Sequence, residues 1–116
     1  MENAAGSMAI GVNLIVKHFL VTHVGAHPME MKTEITEDVL VVLFRDPRPP
    51  EEMEGFTRNG GTVLSYQQMR EQLFERSELV LRERLADFLQ RSIKSIHCIF
   101  GTQPEDMSII IYLEPL

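Results

Sequence analysis

MEMKTEITEDVLVVLF, residues 29–44, is the stretch whose reading decides the fold. In its first half Met29, Met31, Thr33 and Ile35 alternate with Glu30, Lys32, Glu34 and Thr36. That is the period of two of a strand with one face in water. Glu37-Asp38 is short enough for a hairpin turn, although it lacks the Asn-Gly or Asp-Gly chemistry that favours one strongly. Val39 to Phe44 is uninterrupted apolar sequence, which predicts a second strand buried on both faces. The second strand is therefore expected near the centre of a sheet and the first nearer an edge.

On the N-terminal side, residues 8–24 are almost continuously apolar, but Asn13, Lys17, His18, Thr22 and His23 break the run well short of a bilayer span. The segment predicts a helix buried on most sides, with Asn13 and Lys17 four apart on one face and Ile10, Leu14 and Val21 on another. Gly25 supplies its stop and Pro28 prevents its continuation. Residues 1–7 are small and polar, without the basic and apolar regions of a secretory signal. They are expected to be a tail, with Met8 as the natural start, and are left out of the fold argument.

On the C-terminal side the chain first makes a long excursion. Residues 45–62 hold Pro47, Pro49, Pro50, Gly55, Gly60 and Gly61, together with the acidic Glu51, Glu52 and Glu54. A connection of that length points to a functional loop rather than a simple turn. Ser65 with Gln68 forms a capping-box pattern, and the sequence predicts a helix from Tyr66 to about Ser92. Met69, Leu73, Val80, Leu81, Leu85 and Phe88 make its apolar stripe, and Glu78 with Arg82 and Asp87 with Arg91 are four-apart ion pairs. Ser95–Phe100 and Met107–Leu113 alternate again and predict two further strands joined through Gly101 and Pro104.

The predicted class is therefore α+β, in the order αββαββ. A four-stranded, mainly antiparallel sheet carries one medium and one long helix on one face, with residues 8–116 as a single domain. A helix of about 27 residues spans roughly 40 Å, longer than a compact chain of this size accommodates, so it is expected to overhang the sheet. A homodimer, or a larger even-numbered assembly, is therefore expected, with Met69, Leu73, Val80, Leu81 and Leu85 as the interface.

Charge narrows the function classes. The 17 acidic and 11 basic residues among 116 give a net charge of -6, against the phosphate neutralisation that nucleic-acid binding relies on, and no nucleic-acid partner is expected. The excess is uneven: residues 29–56 hold eight acidic and three basic side chains, whereas residues 65–94 hold five and six. The long helix is thus a salt-bridged solvent face rather than a basic stripe.

Candidate chemistry is sparse. Cys98, the single cysteine, lies in an apolar run and reads as a small buried thiol in a reducing compartment. His18, His23 and His27 are the nearest approach to a metal cluster, but Gly25 and Pro28 interrupt the helix between or beside them, and solvated histidines near a helix end are the plainer reading. Arg45 and Arg48 flank Asp46 at the end of a buried strand, and with His27 they form the candidate ligand site for a small anion; a local ion pair is the plainer alternative. No phosphate-binding glycine loop, Ser-His-Asp set or CxxC pattern is present, so no catalytic residue, metal or cofactor is expected.

Several stretches resemble a family of small bacterial proteins known through the soluble Mps-type (MpsC-like) accessory component. They are Asn13-Leu14-Ile15-Val16, the turn Gly25-Ala26-His27-Pro28, and Thr33-Glu34-Ile35 running into Asp38 to Leu43. The charged helix from Met69-Arg70 to Phe88, Pro104-Glu105-Asp106-Met107, and Ile109 to Pro115 complete the similarity. The resemblance implies a non-enzymatic soluble partner of membrane subunits, associated with membrane-potential generation and with bicarbonate or cation uptake. The chain departs from the family pattern at Ala26-His27, where a basic residue and a glycine are usual, and at Gly101-Thr102-Gln103, which replace an acidic, histidine-containing segment.

Two expectations result. The first is a cytoplasmic accessory or regulatory protein with a membrane-protein partner and no membrane insertion of its own. The second is a small-anion or small-ligand sensor acting through the 45–62 loop.

Overall fold

The computed structural model describes residues 4–46, 58–61, 63–100 and 106–115. Helix α1, Ala4–Phe19, continues into a π-helical turn, Leu20–Val24. Strands β1, Met29–Thr36, and β2, Val39–Arg45, are followed by helix α2, Val63–Leu89, and by strands β3, Ile93–Phe100, and β4, Asp106–Leu113. The class is α+β in the predicted order. All pairings are antiparallel and the spatial order is β1-β2-β4-β3, which places β1 at an edge and β2 inside, as the alternation and the apolar run imply.

Alternation on the last strand is complete: Met107, Ile109, Ile111 and Leu113 are all buried. They meet Leu40, Val42 and Phe44 from β2, and Val12, Val16, Phe19 and Leu20 from the α1 side close over them. Phe74 of α2 contacts Phe19 edge to face, with ring centroids 5.5 Å apart, an arrangement favoured by the ring quadrupoles.

The structure corrects the sequence reading in five places. The first is the start of α1, which begins at Ala4, so that Ala4 to Ser7 belong to the helix rather than to a tail. The second is its buried face. Val12, Val16 and Phe19 face the core, whereas Ile10, Leu14 and Val21 stand exposed. The interruptions at Asn13 and Lys17 leave both faces apolar, so periodicity could not choose between them. Asn13 faces the sheet, where its Oδ1 accepts from Thr33 Oγ1 at 2.5 Å.

Third, β2 is buried on one face only. Leu40, Val42 and Phe44 point inward, while Val39 and Val41 are half-buried and Leu43 is exposed. Both helices lie against the same side of the sheet, so apolar content on β2 reflects an open face as well as a core face.

Fourth, α2 starts at Val63 and ends at Leu89, three residues earlier at both ends than predicted. Its stop is a Schellman arrangement without glycine. Gln90 takes φ 54° and Arg91 N–H donates to Ala86 O at 3.3 Å. The Glu78–Arg82 pair forms at 3.4 Å, but Arg91 has left the helix and pairs with Asp38 instead of Asp87.

Fifth, the proposed dimer stripe is largely spent inside the protomer. Leu81 and Leu85 are fully buried in the chain's own core, Leu73 and Val80 are half-buried, and only Met69 is exposed. The inward row is Arg70, Phe74, Leu81, Leu85 and Leu89, rotated from the predicted stripe by about one residue. The molecule measures 50 × 29 × 23 Å with a radius of gyration of 15.0 Å, above the roughly 13.4 Å of a compact chain of this length.

Candidate functional site

Three segments meet at one end of the sheet. The π turn ends where Gly25 adopts φ 74°, a left-handed conformation that costs glycine little, and Ala26 N–H donates to Leu20 O at 3.1 Å. The turn presents the backbone N–H of His27 to Asp46, the residue following β2, and that N–H donates to Asp46 Oδ1 at 2.8 Å. Arg70, in the second turn of α2, donates from Nη1 to Asp46 Oδ2 at 2.7 Å. Each carboxylate oxygen thus has a donor, which offsets the cost of removing the charge from water.

The predicted anion site is accounted for differently by this geometry. Asp46 pairs with Arg70, 24 residues away, and the anion held beside His27 is the chain's own carboxylate. Arg45 lies 3.8 Å from Glu30, and the His27 side chain is exposed. Arg48 and residues 47–57 of the loop lie outside the described residues. The open depression that Arg45 lines, about 340 Å³, also carries Lys32, Glu30 and Asp106; His27 is not on its wall. Two carboxylates, Glu30 and Asp106, stand beside the two cations there.

Sequence reasoning missed Arg70 as a structural group. The signal was available: Arg70 falls four residues before Phe74 on the row that continues to Leu81 and Leu85, and a cation on a core-facing row needs a buried carboxylate. Asp46, directly after an apolar strand, is that carboxylate.

At the opposite end Arg91 ties three segments together. Its Nη1 donates to Glu37 O at 3.0 Å, and its Nη2 donates to Asp38 Oδ1 at 2.7 Å and to Glu114 O at 2.6 Å. It also lines an apolar cavity of about 250 Å³ with Met8, Ile35, Leu40, Leu89 and Leu113. The guanidinium stitches the β1–β2 turn to the C-terminal segment.

A third recess, about 210 Å³, lies between α2 and the β3 edge, lined by Glu71, Glu75 and Glu78 with Phe74, Ile96, His97 and Cys98. Burial, with a smaller contribution from the Glu71 charge, pushes the Cys98 thiol up to about 12, which keeps it protonated and a poor nucleophile at neutral pH. The histidines do not converge. His18 Nδ1 is 2.9 Å from Arg84 Nη1, and His23 packs its ring on Phe19 at 5.3 Å. Among the described residues no group of three or more His, Cys, Asp or Glu side chains could hold a metal ion.

These features define a two-layer α+β domain whose buried and half-buried charges serve as internal clamps. The family model described as Na+-translocating membrane potential-generating system (MpsC) matches residues 5–115, and the chain belongs to that family. No curated protein and no solved structure matches it. Gly6–Val24 is a 19-residue helical segment of mean hydropathy 1.3, long and apolar enough by length and composition to cross a membrane. In this fold the same segment supplies Val12, Val16, Phe19, Leu20 and Val24 to the core.

Proposed function

We propose that the chain is a non-enzymatic accessory protein of an ion-transport system, acting from the cytoplasmic side on membrane subunits that move a cation or bicarbonate. The family match over residues 5–115 carries this reading, because the family's description links it to a Na+-translocating membrane system. The site chemistry supports it. The buried and half-buried charges Asp46, Arg70 and Arg91 are engaged in holding segments together, and the single thiol is held neutral. General acid–base or nucleophilic catalysis needs convergent groups whose ionisation is poised near neutrality.

The test is reconstitution. Membrane subunits of an Mps-type system are co-expressed with this chain, and the Na+-dependent membrane potential of inverted vesicles is measured with and without it. Co-purification with those subunits and a potential that rises on adding the chain are expected. A potential independent of the chain, with no co-purification, would sink the proposal.

A further inference from the structure

Among the described residues the two helices cover one side of the sheet and leave the other uncovered. The register lays out that open face as three cross-strand rows. Thr36, Val39, Tyr112 and Ser95 form one; Glu34, Val41, Ile110 and His97 the next; Lys32, Leu43, Ser108 and Ile99 the third. Its centre is apolar, and the charges of the described face lie at its margins: Lys32 and Glu34, paired at 3.4 Å, on β1, and Arg45 opposite Asp106 beyond the third row. Leu43, Ile99 and Tyr112 are 40%, 44% and 38% exposed. An antiparallel sheet facing water ordinarily alternates to polar side chains, so the patch of Val39, Val41, Leu43, Ile110 and Ile99 within this face calls for a cover.

We infer that this open sheet face is the interface with a second copy of the chain, packed sheet on sheet with the helices outermost. Area supports the choice. Four strands about 4.8 Å apart, each about 25 Å long, make a plate of roughly 20 by 25 Å. With side-chain relief, a plate of that size approaches the ~800 Å² per partner of a stable interface. A second exposed apolar feature, Ile10 and Leu14 on α1 with Val21 on the π turn, is a narrow strip and too small for that.

Charge selects the orientation. A two-fold axis across the strands would set Glu34 against its own copy, whereas an axis parallel to them lays β1 over the partner's β3 and β2 over the partner's β4. The second arrangement stacks Val41 on the partner's Ile110, sets Arg45 opposite the partner's Asp106 and leaves Lys32 and Glu34 of β1 at the wet rim. A self-complementary face of this kind closes as a dimer and leaves no free patch.

The inference is independent of the transport reading, and its test reads mass rather than potential. Sedimentation equilibrium at micromolar concentration is expected to give twice 13.3 kDa for the wild-type chain. Leu43→Lys and Ile99→Lys are each expected to return the mass to 13.3 kDa with an unchanged far-UV spectrum, while Leu14→Glu leaves it doubled. Hydroxyl-radical footprinting of the wild-type chain supplies a reading that needs no variant: Ile99 and Tyr112 should be protected at high concentration and labelled on dilution. A monomeric wild-type chain, a doubled mass that survives both lysines, or labelling of Ile99 and Tyr112 that ignores concentration would overturn it.

Discussion

Arg70 Nη1 and Asp46 Oδ2 lie 2.7 Å apart with both side chains closed off from solvent, at 2% and 0% exposure. The pair joins α2 to the end of β2, and through His27 N–H it also holds the turn after α1. Removing one partner strands the other charge in the core. Arg70→Ala or Asp46→Ala is therefore expected to cost about 3–5 kcal/mol in urea unfolding, a large part of a typical domain's stability. Arg70→Met combined with Asp46→Leu should recover part of that loss, because an apolar pair leaves no uncompensated charge although the His27 N–H gives up its acceptor.

Gly11 and Phe88 give a test in which the sign changes. A Cβ at Gly11 would fall 2.0 Å from Phe88 Cζ, so Gly11→Ala must push the ring away from α1. Phe88 is already exposed on one side and can swing out, which limits the expected cost to about 1–2 kcal/mol. In a Phe88→Ala background the clash is gone and the helix preference of alanine remains, so Gly11→Ala should then stabilise by up to about 1 kcal/mol. Thermal unfolding of the four-member cycle measures the coupling.

Gln90 occupies the left-handed position that ends α2, at φ 54°. Gln90→Gly relieves that conformation but gives up the Nε2 donation to Asp87 O at 2.6 Å. A net gain of about 0.5 kcal/mol is expected, seen as a rise of about 2 °C in Tm. Gln90→Val should lower Tm instead, since a β-branched side chain resists positive φ.

Cys98 predicts a pH dependence. Its thiol titrates near 12 when folded and near 9.0 otherwise, so the unfolded chain loses its proton first as pH rises. The stability that the neutral buried thiol contributes is fully present below pH 9 and is lost between pH 9 and about 12, with a slope approaching ~1.4 kcal/mol per pH unit. Cys98→Ala should flatten that part of the curve. In the native wild-type chain the thiol should react with iodoacetamide at pH 8 far more slowly than after unfolding in urea.

Strand-forming residues were the legible part of this chain. The alternation in Met31–Thr36 and Met107–Leu113 reports the local environment directly, whereas Met29, expected on the inner face, is 55% exposed beside a bulge where Glu30 takes φ 55°; the unbroken Val39–Phe44 run placed β2 inside the sheet. What periodicity could not report was which of two apolar faces meets the core. Ile10 and Leu14 on α1 are as hydrophobic as Val12 and Val16, and Leu43 on β2 as hydrophobic as Leu40; only the placement of both helices on one side of the sheet separates them. The charged clamps were hidden for another reason. Asp46 finds Arg70, and Arg91 finds Asp38, across 24 and 53 residues, and local spacing rules reach only a few positions. The candidate site was therefore legible as a place, the end of β2, but its positive partner was not.

The Asp46–Arg70 pair also bears on how the chain tolerates change in length. It fixes how the end of β2 and the start of α2 meet, and between two fixed points the closure cost of a flexible chain rises only logarithmically with its length. Doubling the number of residues between the two anchors would cost about 0.6 kcal/mol, a fraction of what the anchors themselves contribute. Changes of length before Val63 should therefore be tolerated better than any change at Asp46 or Arg70, or any insertion into the helix turns that lead up to Arg70.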